Sequence, residues 1–264
     1  MQILNAGAPN PRHTRTKSLI ALALSFTAGF VDIVGALTVY DLFTAHVTGT
    51  TVRLGERIVQ RDWGAVLAAI IIVGSFFAAS LAGRVLIEAA QRARFKRIAS
   101  ITFAIEVLLL LVVIAIGVRH DFNHPRKDAA PVVCLVLALL ASAMGLQTAS
   151  LTKIGPLTVH TTFVTGMLNK LAQVLSLWMF AVFDLSRKSA DEKRHAAQAH
   201  NSARKARLLV AIWIAYLTGA GCGTWATADL HLKSLYLPCC VLLVVIIVDR
   251  VRPLSIEEEQ EQAE

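Results

Sequence analysis

Six long apolar stretches constrain the fold of this chain more than any other feature of its sequence. A helix needs about 20 mostly apolar residues to cross the hydrocarbon core of a bilayer. The stretches run from 18 to 40, 64 to 87, 99 to 118, 131 to 151, 208 to 228 and 235 to 248. Hydrophobic residues make up 55% of the 264 residues, and their spacing is helical, which excludes an outer-membrane barrel. The sequence therefore predicts an all-α integral membrane protein with about six transmembrane helices.

A short motif occurs twice, each time downstream of a long apolar run. The first copy, HVTGTTVRLGERIV, covers residues 46–59, and the second, FVTGMLNKLAQVL, covers residues 163–175. The aligned pairs are Thr48 with Thr165, Gly49 with Gly166, Arg53 with Lys170 and, farther upstream, Gly29 with Gly145. An internal duplication of this kind is the usual basis of transporter and channel folds.

The distribution of Lys and Arg predicts how the two repeats are oriented. Cytoplasmic termini and six spans leave most of the 26 basic residues inside, as the positive-inside rule requires. We predict a cytoplasmic tail at 1–17, membrane repeats at 18–118 and 131–251, a basic cytoplasmic loop at 186–207 and an acidic cytoplasmic tail at 252–264. Each repeat then has three spans, and this odd number inserts the second repeat upside down relative to the first.

The two VTG segments are the elements whose path is least obvious. Residues 47–62 carry five charged side chains, and each charge at the centre of a span costs about 2.5 to 3.5 kcal/mol. The second copy continues into LSLWMFAVF and is apolar enough to cross, so seven or eight spans remain open. We predict that each segment is a re-entrant or interfacial helix, one on each side of the membrane. Irregular backbone is tolerated at membrane depth only where protein or a wet cavity covers it.

The segments AGFVDIVGALTVYDLFTAHVTGTTVRLG and MGLQTASLTKIGPLTVHTTFVTGMLNKLAQ resemble the YoaK-like family of uncharacterised bacterial multi-pass membrane proteins. The resemblance extends from about Ser18 to Val251. It implies a multi-pass fold in the bacterial inner membrane, and it implies no particular activity. The first motif of that family usually reads TGN, whereas this chain has Thr50 in place of the Asn.

Ionisable residues inside spans are candidate working residues, because a charge in hydrocarbon is costly. Asp32 lies near the middle of the first span, and Arg53, Arg57 and His46 are its candidate partners. The alternative is a structural role for Asp32 in locking the helix bundle. We predict a substrate or ion pathway formed by Gly29, Asp32, Thr48, Gly49, Arg53, Glu106, Gln147, Thr148, Thr165, Gly166 and Lys170. Thr148 of the second repeat aligns with Asp32 of the first. We therefore expect the first repeat to supply charge to the pathway and the second to supply neutral hydrogen-bonding groups.

The sequence contains none of the motifs that a membrane enzyme would use. GxSxG, HExxH and glycine-rich phosphate loops are absent, as is Cys/His metal spacing, so we expect neither catalysis nor a cofactor. The net charge of +8 indicates contact with anionic lipids, and nothing favours nucleic acid as a partner. We predict a secondary-type transporter or channel for a small solute. A non-transporting membrane scaffold or regulator is the alternative, a membrane enzyme is a distant third, and a homo-oligomer is left open.

Reporter fusions test the predicted sidedness. Fusions at either terminus, in the loop around Arg94 and in the loop around Arg194 should report a cytoplasmic location, because basic clusters are retained on that side. A fusion within residues 121–129 should report the opposite side. An external location for Arg94 would contradict inverted repeats and favour eight spans with parallel repeats.

Overall fold

A computed structural model of the chain describes residues 11–38, 42–93, 95, 97–120, 130–150, 153–154, 157–158, 162, 164–186 and 192–251. The predictions for residues 1–10 of the N-terminal tail, for 187–191 of the basic loop and for the acidic tail at 252–264 lie outside the described residues.

The described residues form eight α-helices, joined by short connections. The helices are α1 (Pro11–Thr38), α2 (Val47–Gln60), α3 (Trp63–Arg92), α4 (Ile98–Arg119), α5 (Ala130–Ser150), α6 (Val164–Ser186), α7 (Glu192–Leu230) and α8 (Tyr236–Val251). A 3-10 turn (His231–Leu235) connects α7 to α8, and two-residue strands β1 (Lys153–Ile154) and β2 (Leu157–Thr158) pair antiparallel between α5 and α6. The predicted helical fold is confirmed.

Six segments within the described residues are long and apolar enough to cross a membrane. They are Arg15–Thr38, Trp63–Arg92, Ile98–Arg119, Pro131–Ser150, Val164–Ser186 and Glu192–Val251. The last segment contains both α7 and α8, and the chain turns between them at His231, whose φ of 48° lies in the left-handed region. Helix α2, with 14 residues, is too short to qualify. Helix α6 qualifies by length and composition, so its re-entrant path stays a prediction.

The corner between α2 and α3 is defined by local backbone chemistry. Arg61 adopts a left-handed conformation with φ 59°, which ends α2 and reverses the chain. The Asp62 carboxylate then accepts a hydrogen bond from the backbone N–H of Ala65 at 3.2 Å and caps the start of α3. The two helices therefore form an antiparallel hairpin in which α2 packs on α3.

Helices α1 and α7 run in the same direction with their backbones in close contact. Gly219 faces the backbone of Phe26, and Gly223 faces Phe30. A Cβ atom on Gly29 would lie only 2.1 Å from the carbonyl oxygen of Tyr216. Small residues permit this approach, as they do in many packed membrane helices.

Helices α3 and α5 form a second pair of the same kind. A Cβ atom on Gly145 would lie 2.5 Å from the carbonyl oxygen of Phe76, and one on Gly83 would lie 2.9 Å from Cβ of Ala149. The Ser80 hydroxyl also donates a hydrogen bond to the Gly145 carbonyl at 3.1 Å. Later residues of α3 meet later residues of α5, so these two helices also run in the same direction.

The two pairs run in opposite directions. The Gln147 amide of α5 donates a hydrogen bond to the Leu24 carbonyl of α1 at 2.8 Å, and a Cβ atom on Gly35 would approach Leu140. Later residues of α1 thus meet earlier residues of α5, which makes these helices antiparallel. A large apolar core joins α1, α4, α5, α7 and α8 at the centre of the bundle.

Several predicted cytoplasmic positions lie at one end of the bundle. Ile87, Ile98 and Ala149 pack together where α3 and α5 end and α4 begins. The Ser100 hydroxyl donates a hydrogen bond to the carboxylate of Asp249, near the end of α8. The basic corner between α3 and α4 therefore lies beside the end of α8, and the compartment that this end faces stays a prediction.

Alanine substitutions of glycines should distinguish close packing from open helix surface. Gly29→Ala and Gly145→Ala each insert a methyl group against backbone oxygen, and overpacking of this kind costs about 1 to 3 kcal/mol. We expect thermal unfolding in detergent to occur several degrees lower for both variants.

Gly74→Ala and Gly221→Ala are the matched controls, because a Cβ atom at either position meets nothing within 4 Å. These variants should unfold at or slightly above the wild-type temperature, since alanine favours helix over glycine. Equal unfolding temperatures for all four variants would contradict the close contact of the helix pairs.

Candidate functional site

A cavity of about 300 Å³ lies where the two VTG segments meet. The first turns of α2 and α6, the residues just before them, and one residue each from α3 and α5 form its walls. The lining residues are Ala45, His46, Val47, Thr48, Phe76, Thr148, Thr162, Val164 and Thr165. The volume falls at the lower end of the range of small-molecule sites.

Both motifs present the start of a helix to this cavity. Thr48 follows the first residue of α2, and Thr165 follows the first residue of α6. The first N–H groups of a helix lack partners within the helix and carry partial positive charge. His46 occupies the N-cap position of α2, and its side chain makes no capping hydrogen bond. Two helix N-termini and the threonine in the first turn of each therefore line one small space.

Asp32 lies behind this lining, and its carboxyl holds the chain that leads into α2. One carboxyl oxygen accepts hydrogen bonds from the Ala45 N–H at 2.7 Å and from the Thr44 hydroxyl at 3.5 Å. The other accepts a hydrogen bond from the Tyr216 hydroxyl of α7 at 2.7 Å. Asp32 is buried, with 2% of its surface exposed. The residue therefore links α1, the segment before α2, and α7.

The predicted ion pairs of Asp32 with Arg53 and Arg57 are wrong. Arg53 pairs with Glu56 at 2.8 Å, and Arg57 pairs with Asp62 at 3.4 Å. Both arginines lie along α2, beyond the turn that approaches α1, so the backbone and hydroxyl groups of that turn reach Asp32 first. The Arg53 pair is largely exposed, and exposed pairs contribute little to stability.

The second half of the chain makes a neutral version of the same link. The hydroxyl oxygens of Thr148 and Thr162 lie 2.7 Å apart, and Thr148 donates to the Met144 carbonyl at 2.8 Å. Thr162 is then the donor to Thr148, which ties the residues before α6 to α5. Asp32 does not line the cavity, so the prediction that one half of the pathway supplies charge and the other neutral hydrogen bonds stays a prediction. Gln147 is buried beside Thr148 and bonds to Leu24 rather than lining the cavity.

The other predicted residues divide between packing and the cavity surroundings. Gly29 packs α1 against α7, and a Cβ atom on Gly49 would lie 2.9 Å from the imidazole of His46. Gly166 is partly exposed in the first turn of α6, and Lys170 is partly exposed one turn later. Of the predicted pathway, the structure brings Thr48, Thr148 and Thr165 together on the cavity wall.

Glu106 lies away from the cavity, inside the central apolar core. It is fully buried, and neither carboxyl oxygen has a hydrogen-bond partner among the described residues. Phe103, Val107 and Leu110 of the same helix belong to that core. Within the described ranges, no group of three His, Cys, Asp or Glu side chains is placed to hold a metal ion.

Sequence reasoning missed Phe76, Thr162, Thr44 and Tyr216. The sequence contained a signal for two of them. Phe76 precedes Gly83 by as many residues as Tyr216 precedes Gly223, which makes Phe76 and Tyr216 equivalent positions in the two halves. Thr50 of the first motif is buried and donates a hydrogen bond to the Phe43 carbonyl at 2.7 Å.

Comparison with known proteins gives one family and one curated relative. The family described as "Protein of unknown function (DUF1275)" matches residues 20–248. The "UPF0700 transmembrane protein YoaK" of Bacillus subtilis (strain 168) is 27% identical over 157 residues, which cover 60% of this chain and 66% of the relative. The match thus spans just under two thirds of the relative's length. No solved structure matches.

Replacing Glu106 should stabilise the protein. Glu106→Met removes a carboxyl without a partner from an apolar core, and an unsatisfied buried polar group costs about 1 to 3 kcal/mol. We expect a higher unfolding temperature in detergent. Glu88→Met, on the exposed end of α3, is the control and should change stability by about 0.5 kcal/mol or less. A lower unfolding temperature for Glu106→Met would contradict the absence of a stabilising partner.

Proposed function

This chain belongs to the DUF1275 family of transmembrane proteins, as the resemblance carried by its two motifs predicted, and from that premise we propose that it moves a small polar solute across the membrane. In this proposal the protein is a secondary-type transporter or channel of the bacterial inner membrane with both termini in the cytoplasm. Its partners are the surrounding lipids and the solute, and catalysis plays no part.

The observation that carries the proposal is the meeting of two helix N-termini at one cavity. Transporters with inverted repeats bind substrate near the bilayer midplane, where interrupted helices direct their N-termini at the site. Here Thr48 and Thr165 line the same cavity from α2 and α6. The described walls are otherwise apolar or carry threonine hydroxyls and one imidazole, which suits a small solute recognised by hydrogen bonds.

Equivalent contacts in the two halves support the proposed inverted repeats, α1–α4 and α5–α8. Gly29 meets the carbonyl of Tyr216 on α7, and Gly145 meets the carbonyl of Phe76 on α3. In each case the first helix of one half packs against the third helix of the other. Helices α1 and α5 are antiparallel, as an inverted repeat requires.

The directions of the helices support re-entrant paths for α2 and α6. Asp184 near the end of α6 lies 3.7 Å from His195 near the start of α7, and the two helices pack on each other, so they form an antiparallel hairpin. Helix α7 is parallel to α1, and α1 is antiparallel to α5. Because α6 is antiparallel to α7, it runs in the same direction as α5. If both crossed the membrane, residues 151–163 would have to return across it, yet part of that stretch forms a short hairpin. The same reasoning gives α2 the direction of α1.

The two helix pairs suggest how the cavity would open. The α1–α7 pair holds one wall through Asp32, and the α3–α5 pair holds the other through Thr148 and Phe76. Rocking one rigid unit against another around a fixed site gives alternating access in inverted-repeat transporters. Close glycine contacts keep each pair rigid, which leaves the boundary between the pairs as the place for motion.

Solute flux into proteoliposomes tests the proposal. Thr48→Val and Thr165→Val remove one hydroxyl each while keeping the side-chain shape. Since one hydrogen bond contributes about 0.5 to 1.5 kcal/mol, we expect flux at low solute concentration to fall about two- to tenfold per variant. Uptake of a panel of labelled amino acids, sugars and inorganic anions would be measured.

Thr218→Val is the matched control, because the Thr218 hydroxyl is exposed on α7 and bonds only locally, to the carbonyls of Ile214 and Ala215. Its flux should equal that of the wild type. Absence of flux for every solute tested would favour the membrane scaffold or regulator. Flux that both cavity variants leave unchanged would exclude this cavity as the path.

A further inference from the structure

Asp32, Thr44, Ala45 and Tyr216 form a cluster that we call the Asp32 clamp. It connects the cavity wall to α7, which contributes no residue to the lining. Asp32 is absent from the lining, whereas Ala45 belongs to it. The carboxyl holds Ala45 and Thr44 through one oxygen and Tyr216 through the other. One side chain thereby joins the segment before α2 to both members of the α1–α7 pair.

Apart from the clamp, the segment is held by the packing of buried Leu42 against α3 and α5 and by local hydrogen bonds. The Thr50 hydroxyl donates to the Phe43 carbonyl at 2.7 Å, and the Thr50 N–H donates to the His46 carbonyl at 3.1 Å. Both of these bonds lie within the turn. The bonds to Asp32 attach the turn, and the start of α2 with it, to α1 and α7.

Among the described residues, the other half of the chain has no equivalent of the hydroxyl from the third helix. Thr162, the one described residue just before α6, is linked to Thr148 of α5. Phe76 of α3 occupies the position that corresponds to Tyr216, and its ring carries no donor. The cavity is therefore anchored differently on its two sides, by a three-way clamp at Thr48 and by a two-way link at Thr165.

We propose that Asp32 is a positioning residue. It sets the location of the cavity wall that contains Thr48, and through Tyr216 it makes the location of that wall depend on the position of α7. The inference rests on the proposed function, because it concerns the same cavity. It differs from a role as ion carrier, for which the carboxyl would have to face the solute. The clamp acts through geometry, so an amide in place of the carboxyl should preserve most of it.

Labelling of single cysteines tests the proposal without any solute. Cys134, Cys222, Cys239 and Cys240 are first replaced by alanine. Thr48→Cys or Thr165→Cys is then introduced, and the labelling rate with a membrane-impermeant maleimide is measured in proteoliposomes. Adding Tyr216→Phe should raise the rate at Thr48→Cys about two- to tenfold, the factor for losing one hydrogen bond of about 0.5 to 1.5 kcal/mol, and leave Thr165→Cys unchanged.

Tyr236→Phe is the matched control, because Tyr236 is exposed at the start of α8; it should alter neither rate. Asp32→Ala removes the acceptor of all three bonds and should raise the rate at Thr48→Cys at least as much as Tyr216→Phe. Asp32→Asn should stay close to wild type, since its amide still accepts from Ala45 and donates to the Tyr216 oxygen.

Unchanged labelling at Thr48→Cys in the Tyr216→Phe variant would overturn the proposal. An equal effect of Asp32→Asn and Asp32→Ala would overturn it as well, because charge rather than geometry would then matter. If Asp32→Ala does not fold, Tyr216→Phe still decides, as it removes a single hydroxyl. A labelling change in a protein that carries no solute would reject the proposed function and leave the clamp standing.

Discussion

A buried backbone group needs a hydrogen-bond partner, and this requirement organises the molecule around the irregular segment before α2. The chain before α2 leaves helical geometry inside the bundle. The Asp32 carboxyl accepts a hydrogen bond from the Ala45 N–H there, and the Thr50 hydroxyl donates one to the Phe43 carbonyl. An irregular turn can therefore exist beside the cavity, and without such a turn α2 would not begin where it does.

The close approach of α1 to α7 and of α3 to α5 supplies the rigid frame for these turns. Gly29 and Gly145 bring each helix against the backbone of its partner. Dispersion contacts between close backbones are a main source of helix association in lipid, where apolar side chains gain little by leaving the hydrocarbon. The cavity lies between the two pairs, and their different anchors, a carboxyl at Asp32 and a hydroxyl at Thr148, make its two sides chemically unequal.

The candidate site was only partly predictable. The motif repeat identified Thr48 and Thr165, and the alignment of Thr148 with Asp32 identified Thr148. The partners of Asp32 were not predictable, because proximity in sequence favoured Arg53 and Arg57, while the true donor Tyr216 lies on a helix much later in the chain. Glu106 looked similar to Asp32 as a carboxyl within a span, yet only the packing reveals that one has three donors and the other none among the described residues.

The sequence by itself determined that this protein is a helical membrane protein with about six apolar segments, that it contains a repeated VTG motif, and that α2 is too charged to cross alone. These properties follow from hydrophobicity and helical spacing, which are local. Only the tertiary structure decided that the two motifs share one cavity, that Asp32 serves the turn before α2, and that Glu106 is enclosed without a partner. Such properties depend on which helix faces which, and that is set by backbone contacts between residues far apart in the chain.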